Sequence, residues 1–203
     1  MSSKYTVPPL IGLTGQKRVG KDSVAAVLVE EFGYRRLAFA DALKAAALSL
    51  DPIVTRGIGS GRLSFYVSIL GWEAAKDVPE VRRTLQRLGT AIRDHDRNVW
   101  VRPVATAIAE DDDPVVVTDV RFPNEADMIR DLGGIVLRVE RPGMENDDPH
   151  PSEAGIAELD ADGVIHNRGD LAELAETARW IASNYSVLYS SAEISRIFGK
   201  AQA

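Results

Sequence analysis

The run Gly15-Gln16-Lys17-Arg18-Val19-Gly20-Lys21-Asp22-Ser23 gathers what is needed to hold a polyphosphate. Its glycines let main-chain N–H groups turn inward around anionic oxygens. Lys21 adds a movable ammonium that reaches the β- and γ-phosphates of a nucleotide. An apolar, strand-like run, Leu10 to Thr14, precedes it, and a helical pattern follows, the setting a phosphate-binding loop requires. The helix contributes its positive end. Gly15, Lys17, Arg18, Val19, Gly20, Lys21, Asp22 and Ser23 are therefore expected to contact ATP. Lys21 would offset charge in the loose transition state of phosphoryl transfer. The usual motif places Ser or Thr directly after the lysine. Here Asp22 stands there and Ser23 follows, so the sequence leaves open which of the two serves Mg²⁺.

A second acidic element is expected at Asp119, at the end of the apolar run Val115-Val116-Val117-Thr118. Ligands of open α/β sheets bind at that edge, and a carboxylate there can hold Mg²⁺ or its waters. A helix-capping role is the plain alternative for Asp119. Arg121 lies two residues on and offers a planar fork for a phosphate, or a salt bridge to Asp119 or Glu125. Phosphoryl transfer relies on positioning and charge neutralisation, so further cations are needed. Asp41, Lys44, Gln86, Arg87 and Arg93, with Arg121, are the candidates for binding an acceptor. For any single arginine, a solvated helix face is an equally good reading. Arg138, Arg141 and His150 flank a polar loop at 141–153. An arginine carried by such a lid, Arg141 first, would close on the migrating group. Phe39, Tyr66 or Trp72 could stack a base, although each suits a core as well.

The elements that must position these groups alternate short β-like runs with longer helical ones, which predicts a parallel sheet covered by helices. Arg36 to Phe39 reads as a second strand, with Asp41 capping a helix over 42–50. Residues 51–72, broken by Pro52, Gly57, Gly59, Gly61 and Gly71, read as an irregular, mobile stretch. Helices follow at 80–93, 97–110 and 124–132. Ile135 to Val139 and Val164-Ile165 are strands. Asp170 and Glu173 resemble a capping box for a helix through Leu171, Leu174, Ala178 and Ile181. One more short amphipathic helix is expected after Asn184. The expected division is a single kinase domain at 1–184, with an acceptor-binding segment at about 40–95 and a lid at about 141–153, and an extension at 185–203.

The 203-residue chain suits one α/β domain. Its formal net charge of −6 disfavours a nucleic-acid backbone as partner. Without cysteine there is no disulfide frame, thiolate metal site or cysteine nucleophile. The N-terminus does not read as a signal peptide, and no apolar run approaches a membrane span. A cytoplasmic enzyme is expected, in the host cytoplasm if phage-encoded. The oligomeric state stays open, a homodimer included.

The segments IGLTGQKRVGKDSVA (11–25), LAFADALK (37–44), LQRLGTAIRDHDRNVWV (85–101), VVTDVRFPNEAD (116–127) and HPSEAGIAELDADGVIHNRGDLAEL (150–174) occur in this order. Together they resemble the bacteriophage-type deoxynucleoside monophosphate kinases. The DVRFPNE and His-x-Ser-Glu stretches are the narrow signals; the loop alone is shared by many classes. The resemblance implies transfer from ATP to a deoxynucleoside monophosphate with Mg²⁺, and marks GKDS as a family form of the loop. It supports Asp41, Lys44, Arg93 and Arg121 on the acceptor side and Arg141 as a lid cation. Asn167 falls in the family's Ile-x-Asn pattern, placed to meet a base or to make a turn. The fold expected is a P-loop NTPase-like, three-layer α/β/α arrangement with a mainly parallel five-stranded sheet, plus acceptor and lid segments. A kinase of another small acceptor, such as dephospho-coenzyme A, and a nucleotide-dependent switch are the rival readings. The arginine-rich 82–97 segment favours a kinase, because a switch needs no cationic acceptor pocket.

Overall fold

The computed structural model describes residues 9–57, 59–144, 156 and 159–191. They fall into two compact units, Met1–Ala38 with Val104–Ala203, and Phe39–Pro103.

The first unit is built on five strands: β1 (Leu10–Thr14), β2 (Arg35–Leu37), β5 (Val115–Val120), β6 (Ile135–Glu140) and β7 (Gly163–His166). Their order is β2-β5-β1-β6-β7, and every pairing is parallel. All five residues of β1 are buried, as are the first four of β5. Strands covered on both faces read as continuous apolar runs, which is why these two were legible. Side chains alternate across the sheet. Ile11 and Leu13 join one core with Val24, Ala25 and Leu28 of α1 (Lys21–Phe32). Leu174, Ala178, Ile181 and Ala182 of α7 (Leu171–Ser183) belong to the same core, at the spacing of one helical face. Gly12 points the other way, where an added Cβ would stand 2.5 Å from Ile129 of α6 (Pro123–Asp131). Helices therefore cover both faces, giving three layers.

Residue chemistry sets the element ends. Gly33 closes α1 at φ +70°, its N–H donating to the Leu28 carbonyl. Asp170 caps α7 by accepting from the N–H groups of Ala172 and Glu173. A helical stretch at 185–191 follows, in line with the amphipathic helix expected there. Its first residue, Tyr185, is buried and its hydroxyl lies within hydrogen-bond distance of the Leu10 N–H and of the Leu10 and Gly133 carbonyls.

The second unit departs most from the sequence reading. Strand β2 ends at Leu37, and Phe39 already opens α2 (Phe39–Leu50). Asp41 thus lies in the first turn of α2 rather than capping it. The described residues of 51–72 carry regular structure. Strands β3 (Ile53–Arg56) and β4 (Gly59–Arg62) form an antiparallel hairpin, and α3 (Leu63–Ala75) follows with a kink at Gly71. Asp51, at φ +43°, accepts from the Ser64 N–H and hydroxyl and so caps the start of α3. The glycines fall in and beside the hairpin and at the kink. α4 spans Pro79–His95 and α5 spans Val101–Ala109, each shifted by a few residues from its expected bounds. Ala47, Val54, Leu63, Ala75, Val78 and Val81 form this unit's own core.

Candidate active site

The phosphate loop lies between β1 and α1, at the carboxyl edge of the central strand. Two glycines there have no substitute. Gly15 has φ +131°, and a Cβ on it would sit 2.3 Å from the Val139 carbonyl oxygen. Gly20 has φ +110°, and its Cβ would stand 2.7 Å from Leu174 Cδ2 and 2.8 Å from Asn167 Nδ2. Arg18 also has a positive φ, +66°. At these two glycines the loop passes through space that admits only bare backbone.

The first hydrogen bond of α1 runs from the Val24 N–H to the Gly20 carbonyl. A helix leaves its first four N–H groups without intrahelical acceptors, here those of Gly20, Lys21, Asp22 and Ser23. With the helix dipole behind them, they form a positive cup for an anion. The Lys21 Nζ donates to the Gly15 and Gln16 carbonyls, at 2.6 Å each, and so is folded back over the loop. Burial, and next the Arg121 guanidinium, pull its pKa from 10.5 down to about 8, while Asp22 and Asp119 push it up.

The groups acting on Lys21 show which expected residues gather. Asp22, Asp119 and Arg121 all lie within electrostatic range of its ammonium. Asp119 gets there by a local irregularity. Gly12 pairs with Val117 but Thr14 with Val120, so β5 carries one extra residue where it meets the loop. Arg121 follows on the turn into α6. That turn is organised by a residue the sequence reading treated only as a salt-bridge partner. Glu125 is 2% exposed, and its carboxylate accepts from the N–H groups of Arg121 and Phe122. It sits at the third helical position after Phe122, where Glu turns back to cap a helix start, and that spacing was the available signal.

Arg141, directly after β6, is exposed and lines a cavity of about 430 Å³ together with Gly15, Gln16 and Val19. Arg138 and Arg168 line the same cavity. With Glu140 as the one carboxylate among its described lining residues, it is a net cationic space beside the loop. Residues 145–153 of the expected lid, with His150, lie outside the described residues. Asn167 does not stand at a turn alone: its side chain is buried and its Nδ2 donates to the Val19 carbonyl at 2.8 Å.

The acceptor candidates Asp41, Lys44, Gln86, Arg87 and Arg93 all belong to the second unit. Lys44 and Asp41 form an ion pair at 2.8 Å on α2, with the Lys44 side chain 15% exposed. Gln86, Gly89 and Arg93 share one face of α4, and a Cβ on Gly89 would touch Leu43 of α2. Gln86 and Arg93 are half-buried beside that contact, whereas Arg87 falls off the face and is exposed. Tyr66 and Trp72 pack against the unit's core and Phe39 is buried, so their packing role accounts for them.

Asp22, Ser23 and Asp119 offer only oxygen donors, which suits a hard cation such as Mg²⁺, and two of the three are carboxylates near the phosphate loop. No helix among the described residues is long and apolar enough to cross a membrane.

Comparison with known proteins shows the family of the chain. The deoxynucleotide monophosphate kinase family model matches residues 71–178. A protein of Acanthamoeba polyphaga mimivirus described as a "putative deoxynucleotide monophosphate kinase" is 31% identical over 179 residues, covering 77% of this chain and 86% of its own. The deoxynucleotide monophosphate kinase of Enterobacteria phage T4 is 38% identical over 49% of this chain and 44% of its own. That of Escherichia phage RB69 is 37% identical over 54% and 50%. The match therefore spans about half of those two phage enzymes and most of the mimivirus protein. The family model covers more than half of the chain, and the chain belongs to the deoxynucleotide monophosphate kinase family.

Proposed function

We propose that this protein transfers the γ-phosphoryl group of ATP to the phosphate of a deoxynucleoside monophosphate, giving the diphosphate and ADP. The observation that carries this reading is the cup of free amides at Gly20–Ser23 with Lys21 folded over it, in a chain of this family. The acceptor oxygen forms a bond to Pγ as the bond from Pγ to the β-bridging oxygen breaks. That acceptor oxygen is already anionic, so no protein base is required.

The residues of this chain then bind, orient and neutralise. The loop amides and Lys21 hold the β- and γ-phosphates, with Lys17 and Arg18 at the outer rim. Lys21 leaves the Gly15 and Gln16 carbonyls to follow the migrating group. Arg121 neutralises charge next to Lys21, and Arg141 does so from the cavity side. Asp41, Lys44, Gln86, Arg87 and Arg93 are assigned to the acceptor. Asp22 or Ser23, with Asp119, would hold Mg²⁺, which supplies positive charge to the phosphate oxygens when bound.

A coupled assay of ADP release with Mg·ATP and each of the four common deoxynucleoside monophosphates tests the reading. At least one should accelerate ADP release by orders of magnitude over ATP alone. Slow hydrolysis that no monophosphate accelerates would replace the kinase by a switch.

A further inference from the structure

Asn167 directly follows β7 and is 5% exposed. Its main-chain N–H donates to the Glu140 carbonyl at 2.8 Å, which fixes it against the end of β6. From that anchor its Nδ2 reaches the Val19 carbonyl. A trans peptide sets its N–H opposite its C=O. Holding the Val19 carbonyl towards Asn167 therefore turns the Gly20 N–H the other way. That N–H is the first of the four free amides at the head of α1. A second observation points to the same pairing. The missing Cβ of Gly20 would lie 2.8 Å from Asn167 Nδ2, so residue 20 is bare on the side where the amide arrives.

We infer that Asn167 is a positioning residue: by clamping the Val19 carbonyl it holds the Val19–Gly20 peptide in the orientation that receives a phosphate. The inference rests on the nucleotide-binding reading above. It differs from a base-contact role because the group it acts on is the loop's own backbone.

Asn167→Ala and Asn167→Leu separate the possibilities, read by calorimetric titration with three probes: Mg·ATP, Mg·tripolyphosphate and adenosine. Leucine restores volume but not the donor, and it is the second variant should the alanine protein fail to unfold cooperatively. Both variants should lose about tenfold in affinity for tripolyphosphate and Mg·ATP, the size expected for one lost hydrogen bond plus a misaligned amide. Adenosine affinity should stay within about twofold of the original protein. Tripolyphosphate affinity restored by leucine would reduce Asn167 to a packing residue and overturn the inference. Loss confined to adenosine would overturn it in favour of a base contact. If the unsubstituted protein bound neither tripolyphosphate nor Mg·ATP, the kinase reading itself would fall, and the inference with it; that outcome is read without any variant.

Discussion

Mg·ATP meets a loop whose lysine is partly uncharged at mildly alkaline pH. Lys21 titrates near 8 because burial strips its water and Arg121 adds positive charge beside it. A triphosphate replaces the lost solvation with negative charge and returns the ammonium to its ordinary range or above. Binding must then take up protons. With a free-state pKa of about 8, uptake should be roughly 0.1 proton at pH 7, about 0.5 at pH 8 and about 0.9 at pH 9. The phosphates of ATP, with a last ionisation near 6, add almost nothing across that window. Apparent affinity should weaken by about tenfold between pH 7 and pH 9, which is about 1.4 kcal/mol. Calorimetry in pairs of buffers that differ in ionisation heat measures the uptake directly. In Lys21→Met both the uptake and the pH dependence should vanish. Uptake near zero at all three pH values in the unsubstituted protein would refute the reasoning, since it would mean that Lys21 is fully charged before the nucleotide arrives. The same depression makes the stability of the empty protein depend on pH. The unfolded chain binds this proton more tightly, so the empty protein gains stability as pH rises from about 8 towards 10.5. Lys21→Met should therefore raise the melting temperature of the nucleotide-free protein at pH 7 while abolishing phosphoryl transfer.

Three other outcomes follow from contacts described above. Glu125→Ala removes the buried carboxylate that accepts from the part-buried N–H groups of Arg121 and Phe122; it should cost about 2–4 kcal/mol in denaturant unfolding. It should also lower kcat, and in combination with Arg121→Ala the two kcat losses should fall short of additive, because both act through one turn. Arg141→Ala should lower turnover more than ATP affinity, measured as separate effects on kcat and on the Kd for Mg·ATP; equal losses would argue against a transition-state role. Tyr185→Phe removes the hydroxyl that meets Leu10 and Gly133; it should cost about 1–2 kcal/mol of stability and leave kcat unchanged.

The donor half of the site was legible because its signals are local. Glycines, a lysine and a flanking strand and helix sit within one short run. Asp119 stood out because it follows four β-forming residues, Val115 to Thr118, although the strand runs on to Val120. The second unit was legible only in its helices α2 and α4. Its helix α3 is apolar on nearly every side and so shows no helical period, and glycines that stand for turns inside a hairpin look in sequence like glycines in a loose loop. Asp51 illustrates the difficulty: its capping of α3 joins residues thirteen apart across that hairpin. Contacts that span the chain were hidden altogether. Nothing near Val19 announces Asn167, 148 residues away, and Glu125 looked like a partner for a guanidinium rather than for backbone amides.

The sheet's outer strands carry a further consequence. β2 is three residues long and opens with two arginines, and β7 has four residues. Unpaired strand margins recruit other chains when they are long, flat and apolar, and brevity and charge are the usual protection. Neither margin here gives a second chain much to pair with. Concentrated preparations should thus resist fibrous, strand-by-strand self-association even though the middle of the sheet is among the most apolar sequence in the chain.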